Sequence, residues 1–413
     1  MTYARSLLER ITAARFDFGD ASCRRDVFQL ADIVALSPSV TSEFSNFRSD
    51  VACKVVERFA ESKKLTQTIT KELTVGVVFG MWGESNRLRP KSPDNPKGED
   101  CLRAKVECLN WLLGETPIKW HIYAVDDGCP NKSGQVARDV ISDNPFANQV
   151  SIAYLADKLP SEQTPLKFIE SIADSVKGGA IVLGGMMALA DKCSHVCFTD
   201  CDNSVLLGQL GSLLYPACAN DKRAVFGDRW LPESEFQRDP RRAVYIPGVR
   251  ILLHLKMLLL DPKDWFGDVP SPFKLFEANL LEIVLNDMRR FDFAFDYDMT
   301  FSIFKKGIAP LSVPYLFLDS YDDSAWHTFG SAAVWLQILH GYIASLRLHR
   351  IPHRNDVASE IDKISTVEQL EYLMSLPAPP QLVDADAALG SDQQMSLQEI
   401  QQWFQAVRAY EPH

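Results

Sequence analysis

The 413-residue chain lacks any apolar run approaching the ~20 residues a membrane-spanning helix requires. The longest, residues 251–260, falls well short. Its first residues, MTYARSLLERITAARFDFGD, carry a charge every few positions and have no apolar core of the secretory-signal kind. The nine cysteines are odd in number and follow no framework spacing, which argues against a disulfide scaffold and fits a reducing compartment. Positive charge is in deficit. Against 54 Asp and Glu stand 43 Lys and Arg, a net charge of −11, which does not suit a general nucleic-acid binder. No internal repeat is present. The expectation is a soluble, cytoplasmic protein with no nucleic-acid partner and no integral membrane segment. At 46% hydrophobic and 23% charged residues the composition is that of a globular protein. The chain is long enough to bury a substantial core without covalent staples.

Three regions are expected. Residues 1–72 read as a helical extension, with Leu7, Leu8, Ile11 and Ala14, then Val51, Val55, Val56 and Phe59, at helical spacing. Residues 73–320 alternate short apolar runs with amphipathic stretches. Strands are expected at 73–81 (LTVGVVFGM), 120–125 (WHIYAV), 149–154 and 195–199 (HVCFT). Helices are expected at 101–113, 135–142, 166–176 and 180–193. This alternation predicts an α/β fold with a mostly parallel, Rossmann-like sheet. Residues 321–413 return to helix, at 333–350, 366–376 and 396–410.

In such a sheet ligands bind beyond the carboxyl ends of the strands, so the residues just past each strand are the informative ones. Trp82-Gly83-Glu84 lies past the first, Asp126-Asp127-Gly128 past the second and Asp200-Cys201-Asp202 past the fourth. Carboxylates gathered at one edge repel one another unless a cation neutralises them. Mg²⁺ or Mn²⁺ held by one or two carboxylates plus substrate phosphates is the usual solution. On an extended segment Asp200 and Asp202 point the same way and share one cation. The competing reading is a solvated loop with Asn203 as turn former. Upstream, Lys177-Gly178-Gly179-Ala180 opens a helix. Glycines permit close backbone approach to a ligand, a helix amino terminus favours phosphate, and Lys177 adds a positive charge. The plainer alternative is a loop-to-helix turn with a solvated lysine.

The order of these motifs resembles family 2 and related GT-A glycosyltransferases. The resemblance rests on Gly83-Glu84, VDDGCPNKSGQVA (125–137), the Lys-Gly-Gly-Ala turn at 177–180, and FTDCD (198–202). It continues in PFKLFEANLLEIVL (272–285) and FDYDMTFSIFKKG (295–307), with Phe301 and Gly307 at the family's apolar and glycine positions. It spans about residues 73–320. It implies a GT-A-like fold, a nucleotide diphosphate sugar donor (UDP- or GDP-linked), a Mn²⁺ or Mg²⁺ cofactor and a hydroxyl or similar acceptor. By resemblance, Glu84 and Asp127 contact the donor nucleoside, and Lys177 lies near the base or phosphates. Asp200 lies near ribose or metal, Asp202 binds the metal, and Asp298 is the general base. The family's acidic pair is adjacent, whereas Asp296 and Asp298 are separated by Tyr297, so Asp296 is the other candidate base. His327 is placed as an additional metal ligand of the kind some retaining enzymes use; the alternative is a structural histidine.

Residues 83–97, GESNRLRPKSPDNPK, also resemble the signature of sugar-1-phosphate nucleotidyltransferases, in which Arg87 and Lys97 bind phosphate. Glu84, Ser85 and Asn86 replace most of the glycines that cradle a triphosphate, which ranks this reading second. Arg87, Arg89 and Lys97 are candidates for diphosphate or an anionic acceptor under either reading. A non-catalytic protein of the same fold is the third alternative, and the terminal helices suggest a homodimer. Cys193, Cys197 and Cys201 are read as buried small hydrophobes rather than a zinc cluster. His349, His353 and their neighbouring arginines read as solvated helix charge, and Trp230 and Trp265 as either sugar-stacking or core residues.

Overall fold

The computed structural model describes residues 3–13, 16–44, 47, 50–237, 249–260, 267–319, 330–383 and 389–408. Three helices come first: α1 (Tyr3–Thr12), α2 (Ala21–Leu36) and α3 (Val51–Gln67). Asp20 and Asp50 cap the amino termini of α2 and α3 by accepting backbone N–H bonds. The strands are β1 (Leu73–Met81), β2 (Ile118–Asp126), β3 (Val150–Tyr154), β4 (His195–Phe198), β5 (Ala224–Asp228), β6 (Glu235–Gln237), β7 (Lys274–Glu277), β8 (Leu311–Pro314) and β9 (Leu316–Leu318). Between them run α4 (Cys101–Leu113), α5 (Ser133–Ile141), α6 (Gly178–Ala190), α7 (Gly211–Ala219), α8 (Val249–Leu258), α9 (Ala278–Asp287) and α10 (Phe295–Lys305). Four helices close the described chain: α11 (Ser331–His349), α12 (Asn355–Ile361), α13 (Val367–Ser375) and α14 (Leu397–Arg408).

Among the described residues the main sheet has the order β3-β2-β1-β4-β7-β5-β8, and β6 pairs with β9 in a separate ribbon. All neighbours in the main sheet are parallel except β7, which runs antiparallel between β4 and β5. β1 is a continuous apolar run because helices cover both of its faces. The chain leaves β1 toward β2 and β3 on one side, while β4 lies on the other. The order therefore reverses between β1 and β4, the kind of switch point at which open α/β sheets form crevices. Register puts Met81 opposite Asp126 and Val78 opposite Phe198. Glu84, Asp127 and Asp200 thus emerge at one edge. Lys274 joins them, because antiparallel β7 begins opposite Phe198 and Phe226.

One sheet face shares its core with α1–α5 and α7, so the amino-terminal helices are not a detached appendage. Phe28, Phe59 and Trp111 stack within it, Phe28 and Trp111 at 5.1 Å between centroids. Arg24 of α2, fully buried, ties this layer to the loop after β1. It pairs with Asp100 at 2.9 Å and Glu107 at 2.7 Å and donates to the carbonyls of Phe18 and Gly19. The other face packs on α6, α9 and one side of α10. The second side of α10, with Tyr297 and Phe301, joins α8 and α11–α14 in a separate core. No helix of the described residues is long and apolar enough to cross a membrane.

The expected helix at 166–176 is replaced by two single turns, Leu166–Phe168 and Ile172–Asp174. Tertiary bonds override the helical pattern: Ser175 Oγ donates to Asp127 at 2.6 Å, and Val176 N donates to the Phe291 carbonyl at 2.8 Å. The other helices and strands expected between residues 73 and 200 form with bounds shifted by a few residues or less.

Candidate functional site

The cleft at this sheet edge is built around Lys177. Its φ of +71° is rare outside glycine. A strained conformation of this kind costs on the order of 1–3 kcal/mol and persists only where neighbours impose it. Asp127 is that neighbour. Its Oδ2 accepts Lys177 N at 2.6 Å and its Oδ1 accepts Ser175 Oγ, which in turn accepts Gly179 N at 3.0 Å. Burial raises the Asp127 pKa despite these donors. Asp127 is thus spent on the turn rather than presented to a nucleoside. The Lys177 ammonium pairs with Asp200. Burial opposes its charge, but Asp200 and Asp296 outweigh that and raise its pKa.

The glycines after Lys177 serve packing rather than phosphate approach. A Cβ on Gly178 would sit 2.6 Å from the backbone of Phe291, and Gly178 N donates to the Phe291 carbonyl at 3.1 Å. A Cβ on Gly179 would meet Ser175 Oγ at 2.6 Å. The N–H groups of residues 177–179 are therefore already bonded within the protein, and the expected anion site at the α6 amino terminus is filled by protein oxygens. The positive charge offered there is the Lys177 side chain.

Across the cleft, Asp296 in the first turn of α10 accepts from Lys274 Nζ at 2.5 Å. Lys274 is almost wholly enclosed, bonds the Ser271 carbonyl as well, and has its pKa lowered by burial against the pull of Asp296. Asp298 is placed otherwise than expected. It has no exposed surface; Oδ2 accepts from the backbone N–H of Arg289 at 2.6 Å and Arg290 at 2.9 Å, and Oδ1 bonds His349 Nε2 at 2.6 Å. It joins α10 to α11 and does not reach the cleft. His349 correspondingly is not a solvated surface group.

A second charged cluster lies beneath the loop after β1. Arg87 donates Nη1 to Asp202 Oδ2 at 2.5 Å and Nη2 to Glu84 Oε1 at 2.8 Å, with Nε 2.7 Å from Glu84 Oε2. Lys105 Nζ donates to the Asp202 carbonyl at 2.7 Å. Glu99 Oε2 accepts Asn203 N at 2.8 Å. Burial pushes the Glu84 carboxyl up to about 8 and Glu99 to about 7, with Arg87 opposing in both. Asp202 is held below the usual range, because Arg87 and Ser204 overcome the effect of burial. Arg87, expected at phosphate, is therefore committed to carboxylates. Asp200 and Asp202 do not point together. The segment bends at 201–202, so Asp200 meets Lys177 while Asp202 turns inward, its Oδ1 accepting Ser204 N at 3.0 Å and Ser204 Oγ at 2.5 Å.

Among the described residues no three His, Cys, Asp or Glu side chains form a metal cluster. His327 and Trp265 lie outside the described residues. Asp200, with 28% of its side chain exposed and paired with Lys177, is the carboxylate that could hold a cation if substrate oxygens completed its shell; Asp202 could join only through an oxygen it shares with Arg87 or Ser204. Cys193, Cys197 and Cys201 are buried, and burial raises all three thiol pKa values.

Sequence reasoning overlooked Lys274, Lys105 and Glu99. For the lysines a signal existed: Lys274 interrupts the apolar strand PFKLF, and Lys105 sits on the buried face of α4. It also left unassigned the Arg229–Asp268 pair after β5, bidentate at 2.6 and 2.8 Å. Trp230, next to it, is 63% exposed and so not a core residue.

No protein-family model matches the chain, and no curated protein matches its sequence. Solved structures do resemble it. Mannosyl-3-phosphoglycerate synthase from Rubrobacter xylanophilus aligns with a TM-score of 0.46 at 12% identity, over 70% of this chain and 77% of that one. Glucosyl-3-phosphoglycerate synthase from Mycobacterium tuberculosis aligns with a TM-score of 0.42 at 11% identity, over 70% and 84%. The latter protein in complex with Mn²⁺, UDP-glucose and glycerol 3-phosphate aligns at 0.43 and 11% identity, over 68% and 83%.

Proposed function

We propose that the chain is a glycosyltransferase that moves a sugar from a nucleotide diphosphate sugar, UDP- or GDP-linked, to an acceptor hydroxyl or similar nucleophile. The observation that carries this reading is the pairing of Lys177 with Asp200 at the switch point between β1 and β4, faced by Asp296 and Lys274. A site edged by Lys177, Asp200 and Asp296 suits a ligand that brings both phosphate oxygens and hydroxyls.

On this reading Asp200 takes the ribose or a cation, and Lys177, released from Asp200, neutralises a diphosphate oxygen. Asp200 would be the residue to hold a Mn²⁺ or Mg²⁺ ion, which would supply charge stabilisation to the departing diphosphate. Asp296, rather than the enclosed Asp298, is the proposed acceptor of a proton from an incoming hydroxyl, and the ion pair with Lys274 supports that role by orienting it. The nucleotidyltransferase alternative is disfavoured, because Arg87, its phosphate ligand, is closed off by Glu84 and Asp202.

The test is calorimetric titration with UDP, GDP, dTDP and ADP, with and without Mn²⁺, on the wild type, Lys177→Ala and Asp200→Asn. Binding of one diphosphate that depends on both residues supports the proposal and names the donor class. Binding of nucleoside triphosphates alone moves the assignment to nucleotidyl transfer. Binding of none leaves a non-catalytic protein.

A further inference from the structure

We infer that Arg87 is a positioning residue, which sets Asp202 and Glu84 from beneath the cleft and touches neither donor nor acceptor; that there is a sugar donor rests on the glycosyltransferase reading, but the positioning does not. Nη1 and Nη2 of its guanidinium donate to the Asp202 and Glu84 carboxylates at 2.5 and 2.8 Å, and Nε lies 2.7 Å from the second Glu84 oxygen. That is the geometry of an arginine clamped by acids, not of one presenting its fork to solvent. Only 6% of Arg87 is exposed.

The clamp belongs to a larger grip on the segment after β4. The Arg87 carbonyl accepts the backbone N–H groups of Glu99 and Cys101, each at 3.2 Å. Glu99 then holds Asn203 twice, through its side chain on Asn203 N and its carbonyl on Asn203 Nδ2, both at 2.8 Å. Lys105 holds the Asp202 carbonyl. Residues 202–203 are thus fastened to the 84–105 stretch from several sides, and Arg87 supplies the bond to the Asp202 carboxylate. The far end of the same stretch is pinned by Arg24 to Asp100. Asp200, two residues before Asp202, takes its place in the cleft from this fixed turn.

Charge sharpens the test. Glu84, Glu99 and Asp202 face Arg87 and Lys105. Above pH 8, where Glu84 is ionised, Arg87→Gln alone leaves the acids under-compensated and is expected to destabilise the fold, whichever role Arg87 has. In the same range Arg87→Gln combined with Glu84→Gln removes one group of each sign and is expected to recover most of the lost melting temperature. Under the inference the double variant still has a loosened Asp202 turn. Backbone amide exchange across residues 199–206 then rises by about tenfold or more. Affinity for the probe, UDP with Mn²⁺, weakens by about tenfold or more, as for other supporting residues of a ligand site. Wild-type exchange across 199–206 in the double variant would mean that Arg87 only balances charge, and would overturn the inference. Tighter UDP binding by Glu84→Gln alone would also overturn it, since a freed Arg87 would then be a phosphate ligand. If the wild type binds no nucleoside diphosphate, the glycosyltransferase reading fails, and the exchange experiment still decides the role of Arg87.

Discussion

Asp296 and Asp298 lie two residues apart on α10, and substitution separates their roles. Asp298 accepts two backbone N–H groups and bonds His349, all in a site without solvent. Removing one member of a buried, hydrogen-bonded charge network costs about 3–5 kcal/mol. Asp298→Ala is therefore expected to lower the melting midpoint by roughly 5 °C. Asp298→Asn, which keeps one acceptor oxygen, is expected to lose less. On the proposed function, below its transition the Asn variant keeps sugar transfer within about tenfold of wild type, since its contacts are structural. Asp296→Asn differs in turnover. It keeps an acceptor oxygen for Lys274 but leaves that buried ammonium without its counter-charge, so it also costs stability. On the proposed function it reduces turnover by on the order of 10²-fold or more, the size expected for a missing general base. Calorimetric melting and donor-consumption rates on the same preparations decide the matter. A stable, inactive Asp298→Asn beside an active Asp296→Asn would refute the assignment.

Gly178→Ala would drive a Cβ into the Phe291 backbone, where no flexible side chain can yield. A cost of about 1–3 kcal/mol is expected, together with weaker nucleoside-diphosphate binding as Lys177 shifts, read by melting and calorimetry. Arg24→Met leaves Asp100 and Glu107 without their shared partner and should destabilise by about 3 kcal/mol in a denaturant titration, because Asp100 is buried. Stability should also depend on pH through Glu84 and Glu99. Their folded-state pKa values, about 8 and about 7, lie above the ordinary glutamate value, so the folded protein holds protons that the unfolded chain releases. That contribution is complete below the unfolded pKa of about 4.3 and is lost as pH rises through 7 and 8. Glu84→Gln should flatten the decline of melting temperature between pH 6 and 9; an unchanged slope would show that Glu84 does not titrate there.

The sheet was legible because its central strands are covered on both faces, which leaves unbroken Val- and Phe-rich runs in the sequence. The helical pattern at 166–176 misled because Ser175 and Val176 are drawn away by Asp127 and Phe291, partners remote in sequence. Lys177 and Asp200 were legible as groups at strand and loop ends. Which acid of the pair 296/298 faces the cleft was not, since two helical positions apart means a rotation of about 200°. On an extended strand both would share a face, and only the helix sends one to the cleft and the other to the core. The Asp200/Asp202 pair failed in the same manner. Its alternation assumed an extended backbone, and the chain bends there instead.

Arg87 shows why a motif alone can misdirect. An arginine in a Pro- and Lys-rich loop resembles a phosphate ligand, yet its partners, Glu84 three residues before it and Asp202 on another strand end, claim its donors. Asp127 likewise lends its oxygens to the strained Lys177 turn. In both cases the charge singled out by sequence is one step removed from the proposed site. Asp127 fixes the backbone of Lys177, and Arg87 fixes the turn two residues past Asp200. The same logic extends outward: Arg24 braces the loop that carries Arg87 through Asp100, and His349 braces the helix that carries Asp296. Both helical additions are thus tied to residues that shape the cleft.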